Sequence, residues 1–124
     1  MKDIRELLFE VGKKNEVINP SFSKERALKR MEVEEMAFPG VSLQNIRDSL
    51  LGLGRILEES SKENYCLSTV CVGPSAAVLI AHALNGKVEI AAYAEEGLIC
   101  QHLAKNAIES FVNRLESLKN KQIS

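Results

Sequence analysis

Tryptophan is absent from this 124-residue chain, and two tyrosines and four phenylalanines are all its aromatic content. A surface that stacks bases or sugar rings needs several exposed aromatics, so that class of site is poorly provided for. A dominant charge is missing too. Sixteen basic and seventeen acidic residues leave a net charge of −1, which supplies no long-range field to attract phosphates, and no nucleic acid is expected as a partner. No apolar run approaches the ~20 residues of a membrane span, so no membrane partner is expected either. The first residues, Met1 to Glu6, place acidic side chains before any apolar stretch, unlike a secretory leader. Three cysteines are an odd number, which predicts free thiols and a reducing, cytoplasmic location. Internal repeats and low-complexity segments are lacking.

What is present suits an ordinary core. Hydrophobic residues make up 45% and charged residues 27%, and a chain of this length forms one domain that hides roughly two-thirds of its unfolded surface. The expected class is α+β, changing from helix to strand near Asn64. Residues 1–40 are expected to form a helical N-terminal extension or subdomain, and residues 41–124 an α-β-β-β-α core. Ile4, Leu7, Leu8 and Val11 recur at helical spacing, with Gly12 placed to end that helix. A second helix is expected after Ser21 or Ser23 and as far as Met36, with Ala27, Leu28 and Met31 as its thin apolar stripe. Phe38-Pro39-Gly40 breaks the chain. A third helix is expected from Ser42 to about Ser61, striped by Ile46, Leu50, Leu53 and Leu57. Gly52 and Gly54 would lie inside it at about 1 kcal/mol each, a cost that a closely approaching backbone would justify.

After Asn64 the pattern predicts a three-stranded antiparallel meander over about residues 65–94. Its strands are Tyr65–Val72, Ala76–Leu84 and Lys87–Ala94, and Asn85-Gly86 is a strong hairpin signal. A long amphipathic helix follows, with Leu98, Leu103, Ala107, Phe111, Leu115 and Leu118 on one face, packed on the sheet. A two-residue loop at Asn85-Gly86 pairs Leu84 with Lys87, Ala83 with Val88, Ala81 with Ile90 and Leu79 with Ala92. The opposite face then carries Val78, Ile80, His82, Glu89 and Tyr93. The N-terminal helices or a second copy of the chain would cover it.

With a three-residue loop at Gly73-Pro74-Ser75, Cys66 falls beside His82, and Glu89 lies beyond. A thiol beside an imidazole oriented by a carboxylate is the arrangement that activates a cysteine nucleophile. The alternative for the same residues is a buried thiol next to a cross-strand His-Glu pair, and a one-residue slip would separate them. No metal site is expected: Cys66 and Cys71 are five apart and point to opposite faces of a strand, and Cys100 and His102 lie on different sides of a helix. Gly97-Leu98 at a helix start follows Glu95 and Glu96, which would repel an anion. Glu32, Glu34 and Glu35 read as a solvated helical face. No cofactor is expected.

The stretch from Val41 to Leu118, and above all Val88-Glu89-Ile90-Ala91-Ala92-Tyr93 running into a long helix, resembles the second half of roadblock-type or profilin-like regulatory domains. The leading strand pair of those domains has no counterpart in the helical reading of the first forty residues, and no site residues follow from the likeness. The resemblance implies a dimerising interaction module. The expected function is therefore a small, self-associating regulatory or adaptor domain without catalytic activity, a homodimer or the partner of another protein, with Val70, Val78, Ile80 and Tyr93 at the partner surface. The alternatives are a thiol-dependent enzyme or redox sensor using Cys66, His82 and Glu89, and a small-molecule-binding domain.

Overall fold

A computed structural model describes residues 3–19, 23–95 and 102–123. Its elements are α1 (Ile4–Lys14), α2 (Lys24–Lys29), β1 (Glu32–Ala37), α3 (Leu43–Leu51), β2 (Ile56–Ser60), β3 (Tyr65–Val72), β4 (Ser75–Leu84), β5 (Lys87–Tyr93) and α4 (Leu103–Ile123). The class is α+β, but the sheet has five strands where three were expected. They run antiparallel in the order β1-β5-β4-β3-β2, and α4 packs on one face. No helix among the described residues is long and apolar enough to cross a membrane.

Both additional strands lie where helix was expected. Ser23 does cap α2, its hydroxyl accepting from the Arg26 N–H at 3.3 Å, but the helix stops at Lys29. Only Ala27 of α2 is fully buried, and charge pairs four residues apart hold an exposed helix by only ~0.3–0.5 kcal/mol. Glu32–Ala37 gains more by pairing along β5, where Met36 enters the core opposite Val88. Residues before Val41 therefore contribute a strand to the same sheet. Similarly, α3 begins where predicted, with Ser42 and Asn45 forming a capping box, but it ends at Leu51. Beyond it, a Cβ on Gly54 would lie 2.0 Å from the Thr69 carbonyl oxygen. The expected close approach is real, and it belongs to the chain entering β2 alongside β3.

The two hairpins came out differently. Asn85 and Gly86 take φ of +51° and +76°, the pair of positive values that a two-residue I′ turn requires, and all four pairings predicted around them occur. At the other hairpin Val72 pairs with Ser75, so the loop is Gly73-Pro74 alone, with Gly73 at φ +58°. That one-residue difference decides the fate of the candidate site.

Each face of the sheet carries its own core. Phe111, Ile108, Ala107 and Leu115 of α4, with Ile46 and Leu50 of α3, pack on Cys66, Val70, Leu79, Ala81, Val88 and Ile90. Of the helical stripe expected in α4, Leu98 lies outside the described residues and Leu118 is half-buried. On the other face Ile4, Leu8, Phe9 and Val11 of α1, joined by Ile18, Ala27 and Met31, pack on Tyr65, Leu67, Ile80, Ala91 and Tyr93. The helix α1 runs past Gly12 and ends at Asn15.

Candidate functional site

The register fixes which side chains share a face. Glu35 pairs with Glu89, Glu89 with His82, His82 with Tyr65 and Tyr65 with Ser60, forming a polar row across all five strands at one end of the α1-covered face. Directly opposed side chains lie close enough for like charges to repel, and Glu35 against Glu89 is such a pair. Each carboxylate has a basic partner of its own. Lys87 Nζ lies 3.0 Å from Glu35 Oε1, and His82 Nδ1 lies 3.3 Å from Glu89 Oε1. The hydrogen bond to Glu35 holds the Lys87 ammonium above its ordinary pKa.

Beyond His82 the row becomes a clamp. The Tyr65 hydroxyl donates to Glu58, Asn15 Nδ2 donates to Glu58 Oε1 at 3.0 Å, and Lys14 Nζ lies 3.2 Å from the same oxygen. The Tyr65 bond is the main reason the Glu58 carboxyl sits below its ordinary value, with Asn15 and Lys14 adding to it against the opposing effect of burial. Burial first, then the Glu58 contact, pushes the Tyr65 phenol upward. The C-terminal end of α1 is thereby pinned to β2.

The expected set of Cys66, His82 and Glu89 is not assembled. His82 and Glu89 meet as predicted, but Cys66 pairs with Ala81 and points to the α4 face. The physical reason is the two-residue loop at Gly73-Pro74, which shifts β3 by one position and so reverses its faces. Cys66 is fully buried among apolar side chains. Burial, reinforced by the charge of Glu59 and partly offset by Arg47, pushes its thiol up to about 12. A neutral, enclosed thiol is a poor nucleophile. Among the described residues no group of three His, Cys, Asp or Glu is placed to hold a metal ion. Gly97, Leu98 and Cys100 lie outside the described residues.

Three of the four residues expected at a partner surface are inside the fold. Val70 lies on the α4 face, while Ile80 and Tyr93 lie beneath α1, all three fully buried. Val78 is half-buried on the same side as Ile80. The face expected to carry them was to be covered by the N-terminal helices or by a second copy of the chain; α1 covers it, and Val70 lies on the other face.

An edge remains that the sequence reading missed. The Phe38 N–H donates to the Gly86 carbonyl at 2.8 Å, which sets the parity of the β1–β5 ladder. Met36, Glu34 and Glu32 turn their backbone groups toward β5, and Val33, Glu35 and Ala37 turn theirs outward. Lys119 Nζ reaches the outward Ala37 carbonyl at 3.1 Å. Glu32, Val33, Glu34 and Glu35 are exposed, and Val33 is one of two large exposed apolar side chains among the described residues, at 37%. Neither Glu32 nor Glu34 makes an ion pair among the described residues. The opposite edge is less regular, because β2 carries a register shift between Ile56 and Glu58, and such bulges blunt an edge. The only signal in the sequence was Val33 among four-residue charge pairs that fitted a helix equally well.

Comparison with known proteins adds nothing to this geometry: no family model, no curated protein and no solved structure matches the chain. The likeness to roadblock-type or profilin-like domains therefore stands on pattern alone, with β1 as a single leading strand where those domains carry a pair.

Proposed function

We propose that the protein is a small interaction domain of regulatory or adaptor type, without catalytic activity, that receives an extended segment of a partner protein along β1. The observation that carries this reading is the outward-facing backbone of Val33 and Glu35 on an exposed, regular edge strand. An added strand would take up those N–H and C=O groups, and its side chains would meet those of β1 in alternation. Opposite Glu32, Glu34 and Glu35 the favourable residues are Lys or Arg, and opposite Val33 an apolar one. A second copy of β1 would set glutamate against glutamate. The second sheet face, which the N-terminal helices or a second copy of the chain would cover, carries α1, so the proposal keeps the interaction module and not the homodimer.

The probe is a synthetic peptide containing Lys-Lys-Val-Lys in an otherwise neutral, extended sequence. Its addition should shift the backbone amide resonances of Val33 and Glu35, and the effect should fall with added salt. Val33→Pro removes an outward N–H while leaving every β1–β5 bond in place, and it should abolish the shifts. If the proline variant binds unchanged, or the shifts fall on another surface, the reading is wrong. Sedimentation of the protein alone tests the homodimer separately, with a monomer expected at micromolar concentration.

A further inference from the structure

Tyr93 ends β5 under the cover of α2, with 1% of its surface exposed. Its hydroxyl has no hydrogen-bond partner, and it is the one buried side-chain N or O atom among the described residues in that position. A buried hydroxyl left unpaired is costly, and native structures keep few of them. The reason water does not relieve it is local. The void at this place, lined by Arg26, Ala27, Arg30 and Tyr93, leaves no room for a water molecule in this state. Ala27 is fully buried at its floor, whereas Arg26 and Arg30 are exposed side chains four residues apart. Neither guanidinium makes an ion pair among the described residues. Two unpaired guanidinium forks thus close over one unpaired hydroxyl donor.

We infer that Arg26, Arg30 and the Tyr93 hydroxyl form a binding site for a small tetrahedral oxyanion, with inorganic phosphate the chemistry they fit. Every polar group lining the void is a donor, and two of them carry positive charge in the fork geometry that matches phosphate oxygens. Entry requires only that two exposed arginine side chains swing outward from the void, exchanging self-closure for charge-assisted bonds to the anion. Glu95 is the opposing group. It is exposed, and its charge reaches the Tyr93 phenol, as does that of Arg30 in the opposite sense. It weakens the site and does not fill it. This site is independent of the β1 edge: the two lie on different elements, and either proposal can fail alone.

The test is a titration with sodium phosphate at constant ionic strength, against sodium chloride as control, read by thermal unfolding and by the ring resonances of Tyr93. Phosphate should raise the unfolding temperature saturably and move the Tyr93 signals, and chloride should do neither. Tyr93→Phe separates the site from a mere packing fault. Without phosphate the variant should be at least as stable as the parent, since an unpaired buried group has gone. With phosphate its apparent affinity should fall about tenfold, the loss of one hydrogen bond to an anion. Arg26→Gln with Arg30→Gln should abolish the response while leaving the fold intact, and Glu95→Gln should strengthen it. A parent protein that responds equally to chloride, or a Tyr93→Phe variant with unchanged phosphate affinity, overturns the inference.

Discussion

The two faces of the sheet are covered to different extents. On the α4 face, alternate residues along β3, β4 and β5 are buried over nearly their full length: Cys66, Ser68 and Val70, then Ala77, Leu79 and Ala81, then Val88, Ile90 and Ala92. On the α1 face fewer strand residues are buried, namely Tyr65, Leu67, Ile80, Ala91 and Tyr93. Its ends are open, with Cys71 and Ala76 exposed at one and His82, Glu89 and Lys87 half-buried at the other. A helix of 21 residues with α3 beside it spans one face, and an 11-residue helix crosses the other. The polar row of Glu35, Glu89, His82 and Tyr65 is what a sheet carries where a short helix runs out. Glu35 meets Lys87 there and Glu89 meets His82, so the row closes the fold at that end.

Cysteine reactivity offers the largest contrast between the faces. Cys66 and Cys71 lie on one strand, the first sealed under the α4 face and the second exposed at the open end of the α1 face. Raising the Cys66 thiol from an ordinary 9.0 to about 12 cuts its thiolate fraction at neutral pH roughly a thousandfold. Site-resolved alkylation at pH 7.5 should therefore label Cys71 at least that much faster, and Cys66 only when the protein unfolds. Comparable rates would mean that the α4 face opens readily or that β3 is in the other register.

Core truncations measure the same contrast in stability. Phe111→Ala removes the central side chain over the α4 face and should cost about 4 kcal/mol, and Leu8→Ala over the α1 face about 3 kcal/mol, both read from denaturant midpoints. Hydrogen exchange separates them further. In Leu8→Ala the amides of β4 and β5 should keep most of their protection, since the α4 core still holds them, whereas Phe111→Ala should lower protection throughout the sheet. The reverse ranking would make α1 the main support.

The hairpin at Asn85-Gly86 was legible because its residues specify the turn, and the turn specifies every pairing beyond it. The first strand was not legible, because its gain comes from pairing along β5, fifty or more residues away and outside any local window. Nor was β2, because its residues also continue the helical stripe expected after Ser42, although its partner β3 follows across a short turn. Gly73-Pro74-Ser75 shows how narrow the margin is: nothing local distinguishes a two-residue from a three-residue loop there, yet that choice moved Cys66 across the sheet. The His82–Glu89 pair depended only on the legible turn, and it survived. The unpaired Tyr93 hydroxyl and the Glu58 clamp depend on how α1 and α2 settle on the sheet, and no spacing in the chain encodes that.

Two glycines repeat the comparison at smaller scale. A Cβ on Gly54 would lie 2.0 Å from the Thr69 backbone oxygen, and one on Gly12 would lie 2.7 Å from the end of the Ile18 side chain. The first neighbour is sheet backbone and holds its position. The second is a side chain under α1 that has rotamers to use. Gly54→Ala should cost about 2–3 kcal/mol by overpacking. Gly12→Ala should come out near neutral, because the roughly 1 kcal/mol gained in helix propensity offsets the crowding of Ile18. Thermal or denaturant unfolding of the two variants decides it, and an equal penalty would show that the α1 face is packed as rigidly as the sheet itself.

One further effect reports on how α1 is attached. Tyr65→Phe deletes the donor to Glu58 without opening a cavity, and losing one hydrogen bond to a charged, partly buried carboxylate should cost about 1.5 kcal/mol at neutral pH. The pH dependence identifies the cause. Glu58 has its pKa lowered in the folded protein, from an ordinary 4.5, chiefly by Tyr65. The unfolded chain therefore binds the proton more tightly, so the stabilisation is complete above about pH 4.5 and is lost as pH falls through the folded value. The difference between parent and Tyr65→Phe should be constant from pH 8 down to about 5 and shrink below that, measured as denaturant midpoints across the range. Glu58→Gln should flatten the acid limb of the parent in the same interval. A penalty for Tyr65→Phe that persists unchanged at pH 3 would assign it to packing alone, and α1 would then be held by its apolar side chains without the clamp.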